Sequence, residues 1–206
     1  MSDTTARGDD FAEALVARHF LRQQTRPVGL AHVPLTDLAR DLRTLLFTDG
    51  TVTRALEAHT LRGVGVTVVE ERPRRVPVDL AACVDLPPGE EACQRRVLLV
   101  TEPDGHPLAY AEALVVYCRL PAAFLARLAQ SRQGIGEALH ASRLESRREL
   151  LWFGLSTVPA WSPRGRTGGP ALVRAYQVVA GETPTMVITE AFPVQLAPDG
   201  YRLLLA

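Results

Sequence analysis

Glu190 interrupts an otherwise apolar row. In the stretch Arg174 to Pro193 (RAYQVVAGETPTMVITEAFP), Gly181-Glu182-Thr183-Pro184 carries turn chemistry and strand-forming residues flank it on both sides. Successive strand side chains point to opposite faces, so Met186, Ile188, Glu190 and Phe192 share one face and Val187, Thr189 and Ala191 the other. A carboxylate on a core-facing row costs free energy unless it is paired, hydrogen-bonded or protonated. Such groups concentrate where acid–base chemistry is done. Glu190 is therefore either a site carboxylate or a structural one that faces water or pairs with a nearby arginine. Two further charges stand in apolar rows. In QRRVLLV, Arg95 aligns with Val97 and Leu99 while Arg96 aligns with Leu98 and Val100, so one arginine must enter the buried side of a covered sheet. Glu112 aligns with Leu108, Tyr110, Leu114 and Val116, which makes it a second candidate buried carboxylate, with a plain ion pair to an arginine as the alternative.

Composition excludes several chemistries. The 23 basic residues are all arginine, so Schiff-base and lysine general-base catalysis are ruled out. Three cysteines (Cys83, Cys93, Cys118) without a CxxC argue against a disulfide framework or a zinc site. The five histidines have no metal-ligand spacing, so no metal is expected. Basic and acidic residues balance at 23 each, which leaves no global field to attract nucleic acid or anionic lipid. The polar, acidic N-terminus fits neither a signal peptide nor a membrane span. The expectation is a cytoplasmic protein whose partner is a small molecule.

The elements that must position these groups follow from periodicity. Residues 1–10 are expected to be disordered and 11–206 to form one domain. Helices are predicted over Phe11 to Gln24, from Leu35 or Thr36 (a candidate cap) to Phe47, over a short stretch after Gly50 capped by Thr51 or Thr53, over Pro121 to Gln130, and from Gly134 through Leu139. A further helix, with Arg147 and Arg148 on a solvated face, is predicted for Arg143 to Trp152. Strands are predicted at Val64 to Arg72, Arg95 to Thr101, Leu108 to Tyr117, the two arms of the 174–193 hairpin, and Tyr201 to Leu205. Pro73 to Cys93 is aperiodic, and Trp161 to Gly169 reads as a surface loop. The tally is an α+β single domain with an antiparallel sheet of about six strands.

Four segments in order, LRTLLFTDGTVTRALEA (42–58), QRRVLLV with PLAYAEALVVYCRLPAAF (94–124), GIGEALHASRLESRREL (134–150) and RAYQVVAGETPTMVITEAFP (174–193), resemble the chorismate pyruvate-lyase family, especially its actinobacterial-type branch. The resemblance implies an antiparallel sheet with helices covering a ligand pocket, and conversion of chorismate to 4-hydroxybenzoate and pyruvate without a cofactor. It implies Arg95 and Glu190 as catalytic, substrate-contacting residues and Val52 and Ile135 as apolar contacts. Glu112 stands where some members carry an arginine, and it enters the substrate-binding set on that basis. Two alternatives accompany this reading. One is a lyase acting on a relative such as 4-amino-4-deoxychorismate. The other is a non-catalytic binding module like the effector domains of some transcription regulators, against which stand a neutral charge and only about 35 residues before the shared region.

Overall fold

β-Branched and aromatic residues recur along residues 64–115 and 146–197, with turn glycines between them at Gly105 and Gly181, both at positive φ (71° and 58°). The computed structural model describes residues 2–130, 134–162 and 168–204. Its strands are β1 (Val64–Arg75), β2 (Glu91–Thr101), β3 (Pro107–Val115), β4 (Ser146–Thr157), β5 (Pro170–Ala180), β6 (Thr183–Ala197) and β7 (Gly200–Leu203). They form one seven-stranded sheet in the order β1-β2-β3-β6-β5-β4, antiparallel throughout, with β7 paired to the far end of β6.

Among the described residues six α-helices accompany the sheet: α1 (Ser2–His19), α2 (Arg40–Phe47), α3 (Val52–Thr60), α4 (Val78–Val84), α5 (Ala122–Gln130) and α6 (Ile135–Ala141). Leu42, Leu45 and Leu46 of α2 and Val52 and Leu56 of α3 pack with Leu99, Ala111, Phe153 and Phe192 of the sheet. Phe124 and Leu128 of α5 and Ala138 and Leu139 of α6 pack on the same face nearer its other end, with Val115, Val178, Met186 and Ile188. Short α4 covers the opposite face against Leu114, Leu151, Trp152 and Val187.

The architecture is the α+β antiparallel sheet expected, with four local differences. The helix predicted for Arg143 to Trp152 is strand β4, which raises the strand count among the described residues to seven. Leu151, Trp152 and Phe153 are all buried, because helices cover both faces, and a bulge between Leu150 and Trp152 breaks the alternation. A short apolar run of that kind has no diagnostic period. Helix α1 begins at Ser2, so residues 2–10, expected to be disordered, belong to it. Adding turns to an existing helix costs far less than nucleating one. The second helix starts late, at Arg40, without Thr36 as its cap. Ahead of it stand a 3-10 turn at Leu35–Asp37 and a bridge from Leu38 to Tyr201, so pairing with β7 takes its first turn. The aperiodic stretch 73–93 contains α4 and the start of β2. Part of the Trp161 to Gly169 loop lies outside the described residues.

Gly154 is where the chain between α1 and α2 crosses β4. Ala31 and Leu155 exchange backbone hydrogen bonds at 2.8 and 2.9 Å, and a Cβ on Gly154 would sit 2.6 Å from the Ala31 carbonyl oxygen. Gly154→Ala is expected to lower stability by about 1–3 kcal/mol through overpacking, read as a lower urea midpoint at unchanged slope. An unchanged midpoint would show that the crossing yields freely.

Candidate active site

Register places the charged groups in rows across one face of the sheet. One row runs Glu71, Arg95, Ala113, Ile188, Tyr176 and Leu150 from β1 to β4. The next runs Val97, Ala111, Glu190, Arg174 and Phe153. Arg95 and Glu190 thus share a face, two strands and one row apart, with only the methyl groups of Ala111 and Ala113 between them. Those two alanines make the floor of a cavity flanked by Val66, Val97, Leu99 and Ile188. The N-terminus of α3 (Thr51, Val52, Thr53) and the start of α6 (Gly134, Ile135, Gly136) roof it, and Arg148 and Tyr176 close its β4–β5 side. The space between atoms, counted out into the mouth, is about 540 Å³.

The acid is held from behind. Glu190 is 5% exposed and Arg174 fully buried, and Arg174 Nε donates to Glu190 Oε2 at 2.8 Å. Tyr176 donates its hydroxyl to Glu190 Oε1 at 3.1 Å. Burial, and then the Glu190 charge, push the Tyr176 phenol above its ordinary range, so it remains a donor. Arg174 Nη1 donates to the carbonyls of Leu45, Leu46 and Thr48, the last two at 3.1 and 2.9 Å. The Leu45 carbonyl also accepts the N–H of the cap residue Thr48, while the Leu46 and Thr48 carbonyls are among those a helix end leaves open. The Arg174 guanidinium also lies 5.2 Å from the Tyr176 ring centroid and 6.0 Å from that of Phe192.

The base end differs. Arg95, 3% exposed, pairs through Nη1 with half-buried Glu71, whose other oxygen accepts from the Tyr117 hydroxyl at 2.8 Å. Arg95 Nε and Nη2 are buried without a hydrogen-bond partner. Those two nitrogens form one edge of the guanidinium, the edge that matches a carboxylate in a bidentate pair. A buried donor pair left unmade is costly, so the geometry fits an anionic ligand.

Val52, Arg95, Ile135 and Glu190 therefore line one cavity. Glu112 does not. It lies in the row Glu70, Arg96, Glu112, Thr189 on the opposite face, where it accepts from Arg96 Nε at 2.8 Å, Arg74 Nη1 at 2.9 Å and Gln94 Nε2 at 2.7 Å. Strand alternation forbids it the cavity that Ala111 and Ala113 enter, and the ion-pair alternative for it holds. Sequence reasoning missed Arg174, Tyr176 and Arg148. The hairpin turn alone does not reveal the first two: pairing counted from Ala180–Thr183 sets Arg174 opposite Thr189, and only the bulge between Val178 and Val179 brings Arg174 beside Glu190 and Tyr176 beside Ile188. Arg148 was hidden because its segment reads as a helix. Among the described residues no group of His, Cys, Asp and Glu could hold a metal ion, and no helix is long and apolar enough to cross a membrane.

Arg174→Met is expected to cost about 3–5 kcal/mol, since it strands a buried carboxylate and the α2 carbonyls together. Adding Glu190→Gln should recover part of that loss, because the charge then goes too. Chemical denaturation checks both, and a single variant within about 1 kcal/mol of wild type would deny the pair its structural weight.

A family model described as Chorismate pyruvate-lyase Rv2949c-like matches residues 46–198. The chorismate pyruvate-lyase of Mycobacterium tuberculosis is 32% identical over 174 residues, 79% of this chain and 84% of that one. The protein of the same name from Mycobacterium leprae is 31% identical over 166 residues, 79% of each. Among solved structures, the effector domain of PhnF from Mycobacterium smegmatis superposes with a TM-score of 0.54 over 70% of this chain and 88% of that one, at 12% identity. Whole PhnF gives 0.55 over 71% and 65%, also at 12%. At such identity the structural likeness shows a shared fold, while the family match covers most of the chain, including both hairpins that carry Arg95 and Glu190. The chain belongs to the Rv2949c-like chorismate pyruvate-lyase family.

Proposed function

We propose that this enzyme is a lyase that converts chorismate to 4-hydroxybenzoate and pyruvate, with Arg95 and Glu190 acting directly on the substrate. The observation that supports this most is the unpartnered Nε–Nη2 edge of Arg95, buried on the same apolar cavity as the Glu190 carboxylate. Arg95 takes the ring carboxylate through that edge. Glu190, two strands away, meets the ring hydroxyl. Val52 and Ile135 press on the ring from the roof.

The reaction breaks the ether bond at ring C3 and removes the C4 hydrogen, while the enolpyruvyl methylene gains a hydrogen. Ring aromatisation drives it, and no electrons are exchanged with a second reactant. Two routes use this geometry. In one, Glu190 moves the proton while the ether breaks. In the other, the C4 hydrogen passes directly to the methylene in a cyclic transition state, and the cavity selects the reactive conformer. The lining is apolar around the reacting ring, which suits the second route, and Glu190 then orients the hydroxyl.

Purified protein incubated with chorismate should release pyruvate and 4-hydroxybenzoate in equal amounts. A folded sample that yields neither would refute the assignment, and product from 4-amino-4-deoxychorismate alone would move it to that relative. Arg95→Ala leaves only half-buried Glu71 unpaired, so it should fold and lose about a hundredfold or more in kcat/KM. Glu190→Gln separates the routes: retained turnover marks orientation, and a drop of about 10²–10⁴ marks proton transfer.

A further inference from the structure

Arg147 and Arg148 open β4 side by side and meet opposite fates. Arg147 Nε pairs with Glu149 at 2.8 Å and its Nη1 donates to the Gly181 carbonyl at 2.9 Å, on the exposed side. Arg148 points to the other face. It stands in the row Cys93, Val115, Met186, Val178, Arg148, one row from Arg95 on the side away from Glu190, and it lines the cavity. Its Nη1 donates to the Asp49 carbonyl at 2.5 Å and its guanidinium carbon lies 5.9 Å from the Tyr176 ring centroid. Those contacts aim the group without neutralising it. Its Nε is buried with no hydrogen-bond partner.

The charges around the cavity make Arg148 the exception. Glu190 is paired with Arg174 and Arg95 with Glu71. No acid among the described residues pairs with Arg148, so the cavity wall carries one uncompensated positive charge. Space beside it is reserved: a Cβ on Gly136 would come within 3.4 Å of Arg148 Nη2. Four interstrand steps of about 4.8 Å separate β2 from β4, so Arg95 and Arg148 reach in from opposite walls. Between them, on β6, stands Glu190.

We propose that Arg148 binds the substrate's second carboxylate, the one on the enolpyruvyl arm that departs as pyruvate. This rests on the lyase reading above and adds a subsite to it. Chorismate carries two carboxylates and the product only one. With the ring carboxylate on Arg95 and the ring hydroxyl on Glu190, the arm at C3 is directed to the β4 wall, where a cation with a free donor waits. Arg148 is thus a specificity residue that reads the arm and ignores the ring.

The test compares two ligands on Arg148→Gln, with Arg148→Lys as the charge-keeping control and a thermal melt to show that both fold. Arg148→Gln should raise KM for chorismate about tenfold or more and leave the calorimetric Kd of 4-hydroxybenzoate, which lacks the arm, within about twofold. Arg148→Lys should recover part of the chorismate KM. A wild-type chorismate KM in Arg148→Gln overturns the subsite while the lyase reading stands, as does an equal loss of affinity for both ligands. A folded wild type that neither turns over chorismate nor binds 4-hydroxybenzoate overturns both.

Discussion

A buried carboxylate held by a fully buried guanidinium organises this protein. Removing both charges from water costs several kcal/mol each, and their attraction recovers that only with close geometry and further hydrogen bonds. The structure supplies both. Glu190 receives one donor on each oxygen, from Arg174 and Tyr176, and Arg174 commits Nη1 to the end of α2 while its Nη2 is buried without a partner. The pair is therefore a junction between the central strands and the helix that precedes the cavity roof. Fixing the end of α2 fixes the turn to α3, and so the height of Thr51 to Thr53 above the sheet. One cross-strand pair sets both the direction of the acid and the position of the wall opposite it.

Around that junction the cavity exists because of what β3 omits. Its neighbours β2 and β6 present the larger side chains Arg95, Val97, Ile188 and Glu190, while β3 presents only Ala111 and Ala113. The roof is thinned in the same way at Gly134 and Gly136. Two separate cores, under α1–α3 and under α5–α6, meet at this line of small residues. A packed interior tolerates such a seam only where some other energy compensates, which is the place the proposed substrate ring takes. The unpartnered edge of Arg95 marks the same incompleteness in polar terms: the site is short of one anion.

Much of this was readable from the residues. The period-2 row Met186, Ile188, Glu190, Phe192 placed the acid on a buried face, and the double arginine at 95–96 required one guanidinium to enter the core. Which of the two did so depended on the register of β1 with β2, where a bulge puts Glu71 beside Arg95 and Glu70 beside Arg96. Glu112 had the same apolar pattern as Glu190 and proved to be on the other face, because both faces of this sheet are covered and an apolar row no longer distinguishes them. The β4 segment was misread for the same reason. Its three consecutive buried residues erase the alternation, and with it went the position of Arg148. Arg174 lay within the motif quoted for Glu190, yet only the hairpin pairing shows that the two touch.

Where one small ring sits decides the matter, and a crystal structure of the protein with 4-hydroxybenzoate would show it. The carboxylate is expected within hydrogen-bond distance of Arg95 Nε and Nη2, the hydroxyl on Glu190, and the ring over Ala111 and Ala113. A ligand bound on the Glu112 face of the sheet, or with its carboxylate away from Arg95, would contradict it.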